Sequence, residues 1–252
     1  MLAEERLERI VQLVNEHGSI SATELMDRLD ASESTIRRDL TRLAQAGRLV
    51  KVHGGATAAR RTVVASDQSV GEKHGLNLAE KTAIAIHAAQ LVGPDDFVYI
   101  DAGSTTELLV EHLEETRATY MTNSIAHAHA LLSKGCRVLV PAGELKQVTE
   151  ALVGEQTVAT LARYHFTLGF FGTNGATPDA GFTTPETGEA LVKEVALRQT
   201  LRPYVLCDSS KFTMVSPVSF ARFDDATVIT DALPSNLAAC ENIVVAPGGH
   251  RF

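Results

Sequence analysis

The chain has 252 residues, 44% of them hydrophobic and 21% charged, with a formal net charge of −8 at pH 7. That length accommodates two ordinary cores of unequal size, and no apolar run approaches the roughly 20 residues that span a bilayer, which excludes an integral helical membrane protein. Cys136, Cys207 and Cys240 are too few and too far apart for a disulfide or zinc framework, and the start Met1-Leu2-Ala3-Glu4-Glu5-Arg6 is charged and mixed, unlike a signal peptide, so a cytoplasmic protein with buried thiols is expected.

Leu7, Ile10, Val11 and Val14 recur at i, i+3, i+4 and i+7, which predicts a first helix ended by His17-Gly18. Ser21-Ala22-Thr23-Glu24 then fits a capping box, in which the hydroxyl and the carboxylate each satisfy a free backbone amide. A second helix follows with Leu25, Met26 and Leu29 turned inward, Asp30-Ala31 makes a turn, and Ser32 is placed to cap a third helix that Gly47 closes. That third helix has two faces of opposite chemistry. Ile36, Leu40 and Leu43 form an apolar stripe, while Ser34, Thr35, Arg37, Arg38 and Arg42 occupy the remaining surface.

Leu49 to Val52 and Ala56 to Ala58, joined through His53-Gly54-Gly55, read as a short hairpin carrying Lys51 and His53 beside that helix. Three helices and a hairpin make a winged helix, placed at residues 1–58. An acidic chain taken whole argues against nucleic acid, but between Ser34 and Arg61 seven basic residues face the single acid Asp39. Attraction to phosphate decays over about 8 Å at physiological salt, so the local excess governs the encounter. Ser32, Ser34, Thr35, Arg37, Arg38, Arg42, Lys51 and His53 are therefore the candidate contacts to double-stranded DNA. Arginines on a helix also occur as a merely solvated face, but here caps, spacing, wing and one-sided charge agree.

Residues 59–78 are polar and weakly patterned and read as a linker. From 79 to 252 apolar runs alternate with helical patterns. Runs beginning at Phe97, Ala118, Arg137, Phe166, Tyr204, Thr227 and Ile243 predict strands, and Lys81 to Leu91, Thr105 to Leu113, Ser124 to Leu132 and Glu186 to Leu201 predict helices. Strands apolar throughout and separated by helices imply an α/β domain with a mostly parallel sheet covered on both faces, whose ligands bind at the carboxyl strand ends.

The residues just past those strand ends are polar in concert. Asp101-Ala102-Gly103-Ser104-Thr105-Thr106 opens a helix, and its glycine, hydroxyls and amides suit an anion. Thr122-Asn123-Ser124, Gly172-Thr173-Asn174-Gly175 and Asp208-Ser209-Ser210-Lys211 succeed three other strands, so four loops converge on one phosphate-sized pocket with Lys211 as counter-charge. Each hydroxyl-rich turn alone is also an ordinary helix cap. His127 and His129, two residues apart, point to different helix faces, and no metal site is expected.

Ser34-Thr-Ile-Arg-Arg-Asp-Leu40 with the following Val52-His-Gly-Gly-Ala56, then Asp101-Ala-Gly-Ser-Thr-Thr106, Thr122-Asn-Ser124, Gly181-Phe-Thr-Thr-Pro-Glu186, Asp208-Ser-Ser-Lys-Phe212 and Ile229-Thr-Asp231, resembles the DeoR-type bacterial transcriptional regulators nearly end to end and in order. The resemblance implies a winged helix ahead of an effector domain similar to ribose-5-phosphate isomerase and CoA-transferase-like folds. It further implies repression of a sugar uptake or catabolism operon, relieved by a phosphorylated sugar. Carried over by position, Gly103, Ser104, Thr105 and Thr106 would hold the phosphate with Lys211 and Lys81, and Asp101, Asn123, Asn174 and Glu186 would meet the sugar hydroxyls. The family often has Gly-Gly-Glu-Leu where this chain has Ala142-Gly143-Glu144-Leu145. A homodimer or tetramer on operator DNA is expected, with no cofactor and no catalytic residue. The rival reading is a sugar-phosphate isomerase or transferase with a DNA-binding appendage, in which Asp101 or Glu186 would serve as base.

Overall fold

The computed structural model describes residues 3–45, 48–58, 62–63, 75–234 and 237–251. It divides into two units, Met1–Thr62 and Val63–Phe252. Gly47, Arg60, Arg61 and the linker stretch between 64 and 74 lie outside the described residues.

The first unit runs α1 (Ala3–His17), β1 (Ser19–Ser21), α2 (Ala22–Leu29), α3 (Glu33–Gln45), β2 (Leu49–Val52) and β3 (Gly55–Ala58). Gly18, at φ +71, ends α1 in a left-handed conformation that only glycine adopts without strain. Ser21 caps α2 by accepting from the Glu24 amide at 3.1 Å, whereas the Glu24 carboxylate turns to Arg28 at 2.8 Å, so the expected capping box forms only in its hydroxyl half. Ser32 accepts from the Thr35 amide at 3.4 Å and starts α3. Ile10, Val14, Leu25, Ile36, Leu40 and Leu43 close the core beneath. Each large aliphatic side chain buried there contributes roughly 1.5–3 kcal/mol.

The hairpin of β2 and β3 closes with Val52 opposite Gly55 across a two-residue turn. β1, which the sequence did not announce, joins it antiparallel in the order β1-β3-β2. Gly55 is required by that pairing, because a Cβ there would lie 2.3 Å from the Ile20 carbonyl oxygen.

β4 (Thr62–Val63) lies at the boundary. The second unit continues with α4 (Leu78–Ala89), β5 (Phe97–Ile100), α5 (Ser104–His112), β6 (Thr119–Thr122), α6 (Ile125–Ser133), β7 (Arg137–Leu139), a hairpin of β8 (Glu144–Leu145) and β9 (Leu152–Val153), α7 (Glu155–Leu161) and β10 (Phe166–Gly172). Then come β11 (Gly175–Thr177), β12 (Gly181–Thr184), α8 (Thr187–Arg198), β13 (Thr200–Leu206), a 3-10 turn at Ser209–Thr213, β14 (Met214–Val215), β15 (Val218–Ala221), β16 (Thr227–Leu233) and β17 (Ile243–Arg251).

Seven strands form one sheet in the order β17-β16-β13-β10-β5-β6-β7, every neighbour parallel. These are the seven apolar runs of the sequence. The chain winds outward from β5 to β7, then returns to start the other half at β10, so β5 and β10 flank the point where the winding direction reverses. Side chains alternate across β5: Val98 and Ile100 pack with Ile84 of α4, Leu109 of α5 and Leu131 of α6, whereas Tyr99 packs toward Leu161 of α7 and Val192 of α8. The sheet is therefore sandwiched between α4–α6 and α7–α8.

A small antiparallel sheet, β11-β12-β15, and the helix α7 were not foreseen. Ala142 is not among the residues of positive φ, so alanine fits where the family often has glycine. Gly143 is the position that demands glycine, since a Cβ there would stand 2.8 Å from the Val153 carbonyl oxygen and closer still to the Thr157 hydroxyl. All three cysteines are free. No helix among the described residues is long and apolar enough to cross a membrane.

Candidate functional site

In the first unit, α3 presents Ser34, Arg37, Arg38 and Arg42 to solvent opposite its buried stripe, with Thr35 half-buried at the edge. Ser32, before the helix, links through its hydroxyl to Ser34 at 3.1 Å and Thr35 at 2.9 Å. Arg37 reaches Glu33 one turn back at 2.6 Å, with both side chains largely exposed. Arg38 and Arg42 make no ion pair among the described residues. Lys51 of β2 donates to the Thr41 hydroxyl at 2.7 Å, which sets the wing's ammonium beside α3, and His53 is exposed in the turn.

Arg48 departs from the sequence reading. It counted toward the basic surface, but its guanidinium forms a two-pronged pair with Glu8 of α1 at 2.9 and 3.0 Å and is mostly covered. Asp39, the one acid of the patch, is likewise turned inward, paired with Arg6 at 2.7 Å. Among the described residues, the outward face thus carries Arg37, Arg38, Arg42 and Lys51 with Glu33 as the one carboxylate paired to them.

In the second unit a cavity of about 410 Å³ opens at the carboxyl ends of β5, β10 and β13, at the winding reversal. α5 begins on its rim. Its first turn leaves the amides of Ser104, Thr105 and Thr106 without intrahelical acceptors, the first helical bond running from Glu107 N to Gly103 O at 2.9 Å. Asn123, at the end of β6, accepts from the Ala102 amide at 2.9 Å and so fixes the turn that delivers Gly103. His127 of α6 backs the same turn. Burial pushes its pKa down to about 4, opposed by the bond its ring donates to the Gly103 carbonyl, and Nδ1 makes no hydrogen bond in its buried setting.

Lys81 and Lys211 both line the cavity. Lys81, a buried residue of α4, donates to Ser104 Oγ at 3.2 Å. Lys211, in the 3-10 turn after β13, has Met214 Sδ at 4.0 Å and no carboxylate partner among the described residues. Asp208 beside it accepts from Asn77 at 2.9 Å and from the Ser210 amide at 3.2 Å.

The opposite layer contributes α8. Lys193, nearly buried, is paired with Asp101 and also donates to the Gly172 carbonyl at 3.1 Å. The Asp101 oxygen it binds accepts from the Gly172 amide at 3.1 Å as well. Burial raises the Asp101 pKa above its ordinary value, with the ammonium of Lys193 the chief opposing influence. Glu189 accepts from Lys146 and from Thr149, each at 2.8 Å.

The structure thus brings together Gly103, Ser104, Thr105, Lys81, Lys211, Asp101, Asn123 and Asn174 around one cavity. Two expected residues stand off it. The Thr106 hydroxyl turns back to the Gly103 carbonyl at 2.9 Å as a helix-start bond, and Glu186 is half-exposed, paired with Lys146 at 2.7 Å. Glu189, Lys193 and Thr149 line the cavity unforeseen.

The sequence profile described as "DeoR-like helix-turn-helix domain" matches residues 6–62, and that described as "DeoR C terminal sensor domain" matches residues 76–232. The chain is 39% identical over 231 residues to the uncharacterized HTH-type transcriptional regulator FruR of Bacillus subtilis, covering 91% of each chain. It is 36% identical over 235 residues to the lactose phosphotransferase system repressor of Streptococcus mutans, covering 92% of this chain and 93% of that one. Among solved structures, ribose 5-phosphate isomerase A from Methanocaldococcus jannaschii aligns with a TM-score of 0.41 at 17% identity over 54% of this chain and 55% of that one. The sorbitol operon regulator SorC from Klebsiella pneumoniae aligns with a TM-score of 0.39 at 11% identity over 82% and 90%.

Proposed function

The chain belongs to the DeoR family of helix-turn-helix transcriptional regulators, and from that membership we propose that it represses a sugar uptake or catabolism operon and is released from its operator by a phosphorylated sugar bound at the winding reversal of the sheet. One observation carries the reading: the free amides of α5, Lys81 and Lys211 converge on a cavity of about 410 Å³, large enough for a small phosphorylated ligand. A dianion satisfies the amides and Lys211 together, and a neutral ligand leaves those donors unmatched.

Ligand acts on DNA binding by linkage. An effector that prefers the conformation with low operator affinity shifts the population toward it by its differential affinity, and DNA opposes the effector by the same factor. The basic face of α3 enters the major groove, where Arg37 and Arg38 contact DNA with at least one reaching a base edge, Arg42 and Lys51 serve phosphates, and Ser32, Ser34, Thr35 and His53 lie at the margin. A paired operator calls for at least two copies of the chain, and the protein acts in the cytoplasm, where the DNA is.

Isomerase chemistry is the weaker reading, since the Asp101 oxygen that Lys193 binds is further engaged by the Gly172 amide, an arrangement that positions a carboxylate rather than frees it as a base. Calorimetry with a sugar and its phosphate ester tests the proposal. The unphosphorylated sugar is expected to bind at least about a hundredfold more weakly, the equivalent of near 3 kcal/mol from charge-assisted bonds. Equal affinities would defeat it.

A further inference from the structure

The cavity is lined from two layers with different chemistry. α4 and the start of α5 bring Lys81 and open amides, the partners of an anion. α8, on the other face of the sheet, brings a carboxylate. Glu189 is nearly buried, and both of its bonds fall on one oxygen: Lys146 Nζ and Thr149 Oγ1 each reach Oε1 at 2.8 Å. Oε2 makes no hydrogen bond among the described residues, although Glu189 lines the cavity.

A carboxylate clamped through one oxygen cannot swing away, so its second oxygen is an acceptor of fixed position. That acceptor repels phosphate and attracts a hydroxyl hydrogen, which is the opposite preference to that of Lys81 and the α5 amides. A ligand that carries an anion at one end and hydroxyls along its length satisfies both walls at once. Sites built to bond a hydroxyl reject the analogue that lacks it, because the buried polar partner is then left alone.

We propose that Glu189 is the residue that selects the effector: Oε2 accepts from a hydroxyl of the bound sugar phosphate and thereby discriminates sugars by the position and configuration of that hydroxyl. The inference rests on the cavity taking a sugar phosphate. Glu186, three residues earlier, cannot share this task, since its side chain is half-exposed and away from the cavity lining. Lys146 binds both carboxylates and holds Glu189 in place.

The test uses the full chain, calorimetry, and as probes inorganic phosphate together with a series of pentose and hexose phosphates, their epimers and their deoxy analogues. Glu189→Gln keeps the shape and an amide oxygen for the Thr149 hydroxyl but loses the charge. This variant is expected to bind inorganic phosphate as the wild type does, to lose about tenfold to a hundredfold toward the best sugar phosphate, and to lose most of the gap between that sugar phosphate and its deoxy analogue. Thr149→Val, which removes only one brace, should keep the gap. A loss of equal size toward inorganic phosphate, or a gap that survives in Glu189→Gln, overturns the assignment of Glu189 and leaves the sugar-phosphate reading standing. A wild-type protein that binds none of the sugar phosphates overturns both.

Discussion

Arg37 and Lys193 are both cations bonded to a carboxylate, but the Arg37 side chain is 70% exposed beside Glu33 while that of Lys193 is 7% exposed against Asp101. The first pair stands four residues apart on a solvated helix and contributes only about 0.3–0.5 kcal/mol. It dissolves readily when a stronger anion arrives. The second pair gave up its water during folding, and removing one partner strands the other in a dry place. The outward face of α3 therefore keeps its charges hydrated and free to trade partners, which suits a polyanion met at long range. The cavity wall of the carboxy-terminal unit fixes its charges beforehand, which suits discrimination among small ligands at contact distance.

The contrast breaks first at Lys193. Lys193→Met leaves Asp101 buried without its cation and is expected to lower stability by about 3–5 kcal/mol, read as a fall in the urea midpoint by circular dichroism. Adding Asp101→Asn should restore a good part of it. If the single variant unfolds with the wild type, the pair is not the fixed element inferred.

His127 asks how far the dryness extends behind the Gly103 turn. Its pKa of about 4 in the folded chain lies below the value near 6.5 of an unfolded histidine. Between those pH values the unfolded chain takes up a proton that the folded one refuses. Stability is accordingly full above pH 6.5 and falls as the pH drops toward 4, by up to about 3 kcal/mol. His127→Gln should flatten that slope, and an unchanged slope would assign the acid sensitivity elsewhere.

On the hydrated side the effects are smaller and appear in DNA binding. Arg37→Ala or Arg38→Ala, where the side chain reaches a base edge, should weaken operator binding by about 1–3 kcal/mol and relax sequence preference, whereas Lys51→Ala should lower the salt slope by about one. Operator titrations across salt decide it, and wild-type affinity in both arginine variants would remove α3 from the groove. Smallest of all, Glu33→Ala should change thermal stability by no more than about 0.5 kcal/mol, since it takes away only an exposed partner.

How legible these features were in sequence tracks the same division. The stripe of Ile36, Leu40 and Leu43 and the seven strands announce themselves by periodicity, because burial of apolar side chains repeats locally along the chain. One rim of the cavity was legible too, since Gly103, Ser104 and Thr105, which line it, are consecutive. Pairs made by the fold were not. Lys193 and Asp101 are 92 residues apart, while Glu189 and Lys193 stand four residues apart on α8. In the structure each turns instead to a partner from another element. Arg48 misled for the same reason, its partner Glu8 lying 40 residues away. The strands β11 and β12, rich in Gly and Thr, and the four-residue β15 were too short and too weakly patterned to stand out from loops.

The placement of the cavity at strand ends has a consequence for how such a protein diversifies. Val98, Ile100, Leu168 and Phe170 hold the sheet together without lining the cavity. Exchanges at half-buried rim positions such as Thr173 or Asn174 therefore remodel the cavity wall while the packing of those four side chains stays untouched. Duplicated copies of one scaffold can in this way diverge at the cavity through a handful of rim substitutions, whereas Asp101, Lys193, Leu206 and Cys207, which line the cavity and also hold the fold together, are far less free to change.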